Sequence, residues 1–403
     1  MKLLLLGNGF DLNHKFPTSY IDFLNTVNYL IDADKSTIAT IEDVFGNEDL
    51  QEKCKNIKDA YEVHARVYDE ISLEKEEIEQ MVEKARNNYW FKYLSESIAE
   101  KQTWIDFEKE IVRVLEAFEN FFESESFRWS NKQIIFDFSD YKNSENKVII
   151  KSFPFFFEKK EYETGFKTDI IELSEHYLEE KIKGSGTLHL CQDKIAADLY
   201  ESLRELADLL KQYLRLFVDI PIRKYADMEI KPRFASLTSA DQVYSLNYTS
   251  TYEVLYRPNI VEHIHGNTNE NIVLGVNPDD KDEVHSLDTT FLQFKKYFQR
   301  TFYSTDVDFL RKVHRQVCVK TMEGNDLFVV GHSLDVTDKD IINLVFEVAD
   351  RIYVFYHDKT AVKNHIKNLV EIYGKEGLDR LRIEKHLVFL PQSEVDWIYP
   401  GKE

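Results

Sequence analysis

The chain opens on an unbroken apolar run, Leu3–Leu6, that stops at Gly7-Asn8-Gly9. Short continuous apolar runs predict strands covered on both faces, as in a parallel sheet. Six further runs have this character: Gln242–Leu246, Val261–His265, Ile272–Gly275, Asp326–Val330, Arg351–Tyr356 and His386–Leu390. Helix-period patterns over Lys339–Ala349 and Thr360–Tyr373 alternate with the last of them, which predicts a doubly wound, Rossmann-like α/β sheet. Between the first run and the 240s the pattern changes. Trp104, Phe107, Ile111, Val114, Leu115, Phe118 and Phe122 recur at three and four, as do Leu199, Leu203, Leu206, Leu210 and Phe217 within Ala196–Val218. These are amphipathic helices. Apolar residues alternate with polar ones over 133–160, around Asn143-Ser144-Glu145-Asn146, which predicts a β-hairpin. The expected organisation is an α/β unit of residues 1–45 plus 236–403, interrupted by a mostly helical insertion, 46–235, with a joint at Gly184-Ser185-Gly186.

Composition narrows the function classes. With 403 residues, 43% hydrophobic and 31% charged, the chain suits an ordinary globular protein. No apolar run reaches the roughly 18 residues of a membrane span, and four leucines are too few for a signal-peptide core. Cys54, Cys191 and Cys318 lie far apart without a CxxC, which argues against a zinc ribbon or a disulfide framework. A cytoplasmic location is expected. The net charge of −21 disfavours duplex nucleic acid and a nucleic-acid-directed toxin; Lys159-Lys160 and Lys181-Ile182-Lys183 are the local basic runs, expected as solvated helix faces.

Four motifs sit at ends of predicted strands. Gly7 and Gly9, lacking Cβ atoms, suit a tight turn or a close approach to phosphate. Ser245-Leu246-Asn247-Tyr248-Thr249 reads as a helix cap or as ligand groups. His263-Ile264-His265-Gly266 would put two imidazoles on one strand face, with no third metal ligand evident. Phe328–Asp338 reads as a buried strand, a turn at Gly331, and a helix starting near Thr337 with a capping box to Asp340.

The order and spacing of these motifs carry a resemblance. Gly7-Asn8-Gly9-Phe10-Asp11-x4-Phe16-Pro17 is similar to the sirtuin opening G-A-G-[IA]-S-x4-I-P. Ser245–Thr249 is similar to the sirtuin T-Q-N-x-D, His265-Gly266 to its HG, and Gly331–Val336 to its G-T-S-L-x-V. The fuller wording (GNGFDL, PTSY, NYT, HIHG, GHSL) resembles more closely the AbiH family of bacterial abortive-infection proteins, read as a divergent sirtuin-like branch. The resemblance implies a role in phage defence, a sirtuin-like fold and a bound nucleotide, NAD or one like ADP-ribose. It places Gly7, Asn8, Gly9, Phe10, Asp11, Pro17, Gly331, His332 and Ser333 around that nucleotide, and Asn247 and His265 at the reacting ribose. Asp11 and Thr249 stand where sirtuins carry serine and aspartate, and the zinc-binding CxxC pairs are missing. Zinc-free sirtuin-like defence proteins hydrolyse NAD, so the implied activity is cleavage of the nicotinamide–ribose bond, with NAD as substrate and no required cofactor or metal. A phage-derived activator, a partner defence protein and a homo-oligomer are compatible with that role, as is a non-catalytic nucleotide sensor or scaffold.

The chemistry needs little machinery. Nicotinamide leaves from a cation through an oxocarbenium-like centre, so no general acid is required. Backbone N–H groups of Gly7–Gly9 would hold the pyrophosphate, Asn247 would orient ribose or water, and His265 would serve as base. Glu108 falls inside the apolar stripe of its predicted helix. It is either presented to the ribose or held in a buried ion pair. Ser333 in Val329-Val330-Gly331-His332-Ser333-Leu334 resembles a hydrolase nucleophile, with Asp350 and His357 or His386 following in order. However, Asp335 stands where that turn needs glycine.

Overall fold

Lys2–Leu6 (β1) pairs in parallel on both sides, with strands distant in sequence. The computed structural model describes residues 1–101, 107–124, 127–130, 133–137, 144–158, 170–180, 188–227, 234–258, 260–277, 289–318 and 324–395. Within them β2 (Gln242–Ser245), β3 (Val261–His263), β4 (Asp326–Val330), β5 (Arg351–Tyr356) and β6 (Val388–Pro391) complete a six-stranded sheet. Its order is β3-β2-β1-β4-β5-β6, and every pair is parallel. This is the doubly wound, Rossmann-like order, in which the winding reverses between β1 and β4.

The unbroken leucine run follows from burial on both faces. Leu3 and Leu5 share one core with Leu327 and Val329, and with Ile341, Val345 and Leu369 from the helices Lys339–Val348 and Lys359–Glu384. Leu4 and Leu6 point the other way, into a core with Phe328, Val330 and Tyr252. Phe10 joins that second core from α1 (Gly9–Asn13), the short helix directly after β1.

A third core gathers the residues between β1 and β2. It includes Phe23 and Leu24 of α2 (Tyr20–Asp32), Ile111 and Phe118 of α3 (Phe107–Phe122), and Leu203 and Leu210 of α4 (Gln192–Leu214). Ser19 and Asp22 start α2 with a reciprocal capping box. Ile272, Leu274 and Phe294, which follow β3, belong to this same core. The helical body therefore packs on the segment that leads into α5 (Lys296–Tyr303).

Several expectations are revised. Of the turn expected at Asn143–Asn146, Ser144–Asn146 instead open a helix, Ser144–Lys151, and Gln133–Asp137 pairs antiparallel with Phe127–Ser130 and with Ile170–Leu173. Ile272–Gly275 is not a ladder strand. The side-chain amide of Gln299 stands in for a neighbour there, accepting from Leu274 N–H (3.0 Å) and donating to Leu274 C=O (2.9 Å). Past Leu214 the helix widens into a π-helical segment, Arg215–Asp219. Trp104, Asn143, Lys159-Lys160, Lys181–Lys183 and the Gly184–Gly186 joint lie outside the described residues. Among the described residues no helix is long and apolar enough to cross a membrane.

Candidate functional site

Because β1 and β4 are adjacent and parallel, the loops that leave their carboxyl ends run side by side. They interlock. Gly9 N–H donates to Gly331 C=O at 2.8 Å, and Gly7 N–H donates to Val330 C=O at 3.2 Å. Gly331 has φ +71°, and a Cβ there would lie 2.1 Å from Phe10 N; one on Gly9 would lie 2.8 Å from Gly331 O. The glycines are thus required by loop-to-loop approach. The Gly7 and Gly9 N–H groups expected to hold a pyrophosphate are instead donated across the interlock. Asn247, from the loop after β2, braces the same turn by donating Nδ2–H to Gly7 C=O at 3.0 Å. It is not a helix cap, since the helix that follows begins at Thr251, with Ser250 as its cap.

At this switch point opens a cavity of about 540 Å³, within the size range of small-molecule sites. Gly7, Asn8, Gly9, Asp11, Glu108, Asn247, His265, Gly331, His332 and Ser333 all line it. Phe10 and Pro17 do not. Phe10 is packed among Tyr252 and Tyr256, and Pro17 C=O accepts from Tyr213 OH at 2.7 Å, tying the first loop to the helical body. That body supplies a wall of the cavity through Tyr20, Ile21, Asn56, Glu108, Leu210 and Leu214.

The innermost chemistry is built around Lys296, only 2% exposed. Its Nζ bonds Glu108 Oε1 at 2.7 Å and Asp338 Oδ1 at 2.8 Å, so two carboxylates share one ammonium. Burial opposes the lysine's charge, but the two carboxylates win and hold its pKa above the ordinary lysine value. Burial alone would raise Asp338; the Lys296 charge and a His332 hydrogen bond keep it well below the usual carboxylate range. For Glu108 burial dominates and pushes it up to about 7 against the pull of Lys296. The two acids therefore titrate far apart. Leu334 N–H donates to His332 Nδ1 at 2.9 Å, which places the ring proton on Nε2, facing Asp338 Oδ2 at 3.3 Å.

His265, 4% exposed, has Nε2 3.6 Å from Asp338 Oδ1 and no hydrogen-bond partner on that nitrogen. Burial, with Lys296 and Arg300 nearby, holds its pKa well below the ordinary histidine value despite the pull of Asp338. The imidazole is neutral at physiological pH. His263 and His265 do not share one strand face, because β3 ends at His263. His263 turns to Glu253 and to Asn247 C=O (2.8 Å). Among the described residues no group of three or more His, Cys, Asp or Glu is placed to hold a metal ion.

Asp11 is 1% exposed. Its Oδ2 accepts from Thr249 Oγ1 at 2.5 Å, while Oδ1 has no partner. Burial pushes its pKa up to about 7, against the hydrogen bonds from Thr249 and Thr251. The expected capping box at Thr337 is absent. Asp335 caps that turn by accepting from Thr337 N–H, and Asp340 is held by Arg300 and Asn277. Ser333 is not followed by a helix directly: Leu334 has φ +56° and the helix begins at Lys339. That differs from a nucleophile elbow.

Lys296 and Asp338 escaped the sequence reading, and Lys296 had a legible signal. In α5, Lys296, Gln299 and Arg300 are buried while Tyr297 and Phe302 are exposed, a polar stripe at helical spacing in an aromatic-rich stretch. Asp338 had none, because Lys296 and His265 come from distant segments and only His332 lies in its own loop.

No curated protein and no solved structure matches the chain. One family does: the pattern described as "Bacteriophage abortive infection AbiH" matches residues 3–357, which span β1 through the end of β5 and every wall of the cavity except its last few residues. The chain belongs to the AbiH family of bacteriophage abortive-infection proteins.

Proposed function

We propose that this chain acts in phage defence by binding NAD, or a closely related nucleotide, in the switch-point cavity and hydrolysing its nicotinamide–ribose bond. The observation that carries the reading is the buried constellation of His265, Glu108, Lys296 and Asp338 on the wall of a cavity that Asn247 also lines. The sirtuin-like order of the four motifs supports the same reading. In the proposed step the C1′–N bond breaks and its electron pair goes to the pyridinium nitrogen, which leaves as neutral nicotinamide. Water bonds to C1′, and the proton it loses passes through a ribose hydroxyl to neutral His265. Asp338, 3.6 Å away, offsets the imidazolium charge that forms. Asn247 keeps the first loop in place and offers its amide to the ribose or the water.

Incubating the protein with NAD and measuring free nicotinamide tests this. The wild type is expected to release nicotinamide, and Asn247→Ala and His265→Ala to release at least tenfold less, with native folding checked by circular dichroism and Asn247→Ala also lowering Tm because Gly7 C=O loses its donor. Binding without release in the wild type, even with phage components added, would instead assign the chain a sensing or scaffolding role.

A further inference from the structure

The charges that line the cavity sharpen the substrate class, and this inference rests on the nucleotide reading above. Among the described lining residues, Lys296 is the only lysine or arginine, against Asp11, Glu108, Asp335 and Asp338. Its ammonium is already held by two carboxylates at 2.7 and 2.8 Å. The two glycine N–H groups at the loop are donated to Val330 and Gly331 carbonyls. A phosphate entering here finds an acidic wall with no spare cation among the described residues, the reverse of an ordinary phosphate site. The same wall suits a ligand with a positive ring.

Two buried polar atoms point to what else that ligand carries. Asp11 Oδ1 and His265 Nε2 each lie on residues that line the cavity, each is nine-tenths or more buried, and neither has a hydrogen-bond partner. Orphaned groups of this kind call for a polar occupant. A sugar diol donates through its hydroxyls to a carboxylate oxygen and to an imidazole nitrogen alike. Tyr20 and Tyr248 also line the cavity, and aromatic rings attract cations.

We infer that the cavity recognises a ribosylated cationic ring, a pyridinium nucleoside, through its carboxylates and orphaned acceptors, and that phosphate groups contribute little to binding. The recognised portion of a dinucleotide would be its oxidised, ring-bearing end, with the pyrophosphate left toward solvent.

Calorimetric titration of the wild-type chain at about pH 8, where Asp11 is ionised, with nicotinamide riboside, its neutral dihydro form, NAD and ADP-ribose separates the outcomes. The cationic nucleoside is expected to bind within about threefold of NAD. The dihydro form and ADP-ribose are expected to bind at least tenfold more weakly. In Asp11→Asn, checked for native Tm, the preference for the cationic over the dihydro nucleoside should shrink severalfold. Tight binding of ADP-ribose with no binding of the nucleoside would overturn this inference while leaving nucleotide binding intact. Failure of all four ligands to bind would overturn both.

Discussion

At the scale of single residues, the decisive group is Lys296, because it neutralises two buried carboxylates at once. Removing it strands both, whereas removing one carboxylate leaves the lysine paired with the other. Lys296→Ala is therefore expected to cost about 3–5 kcal/mol and Glu108→Gln no more than about 1.5 kcal/mol, read from urea unfolding midpoints. Equal losses would contradict the shared-ammonium geometry. Asp11 gives a pH signature. Burial raises its native pKa from 3.8 to about 7, so the folded chain holds a proton that the unfolded chain has lost across that window. Stability contributed by this group must then fall as pH rises from about 4 to 7 and stay level above. Asp11→Asn keeps an acceptor for Thr249 but cannot ionise. Its unfolding free energy should drop less over that range than the wild type's, by about 2 kcal/mol or more. Parallel curves for the two proteins would sink the assignment. Glu108 was noticed in the sequence because a carboxylate interrupts an apolar stripe. The polar stripe of α5 marks Lys296 as buried, but nothing local says that the helix carrying Glu108, from a distant segment, will meet it.

At the scale of elements, the site depends on two strand-end loops that fit together without side chains between them. Gly331→Ala places a Cβ against Phe10 N at φ +71°, so both strain and collision act. Gly374 has nearly the same φ, +69°, with nothing within 4 Å of an added Cβ, and serves as the control for positive φ without collision. Gly374→Ala is expected to cost about 1–3 kcal/mol, the positive-φ penalty alone, and Gly331→Ala at least about 2 kcal/mol more, since β1 and β4 must also move apart. Chemical denaturation compares them, and similar losses would show that the loops do not interlock. Strands with unbroken apolar runs were legible at this scale: Asp326–Val330 and Arg351–Tyr356 have the bounds their sequences suggest. Ile272–Gly275 misled, because an extended apolar segment looks the same whether its backbone bonds to a strand or to the amide of Gln299. The hairpin around residue 143 misled because apolar residues at Val148, Ile149 and Ile150 fit a helix as well as a strand, and the helix packs against α3.

At the scale of the whole molecule, the cavity lies where the winding of the sheet reverses and the helical body forms the facing wall. Tyr213 OH on Pro17 C=O ties that body to the loop after β1, and the Glu108–Lys296 bridge ties it to α5. The net charge of −21 fits a molecule that keeps away from nucleic-acid polymers. Sequence by itself determined the parallel α/β class, the glycine-bearing strand ends and the acidic balance, because each follows from local pattern or from a sum over the chain. Only the tertiary structure decided that the Gly7 and Gly9 N–H groups turn to the carbonyls at the end of β4, that Glu108 and Asp338 share one lysine, and that His263 and His265 part company. Those are consequences of which strands become neighbours, and neighbours in space are set by packing the three cores together, not by any stretch of residues read alone.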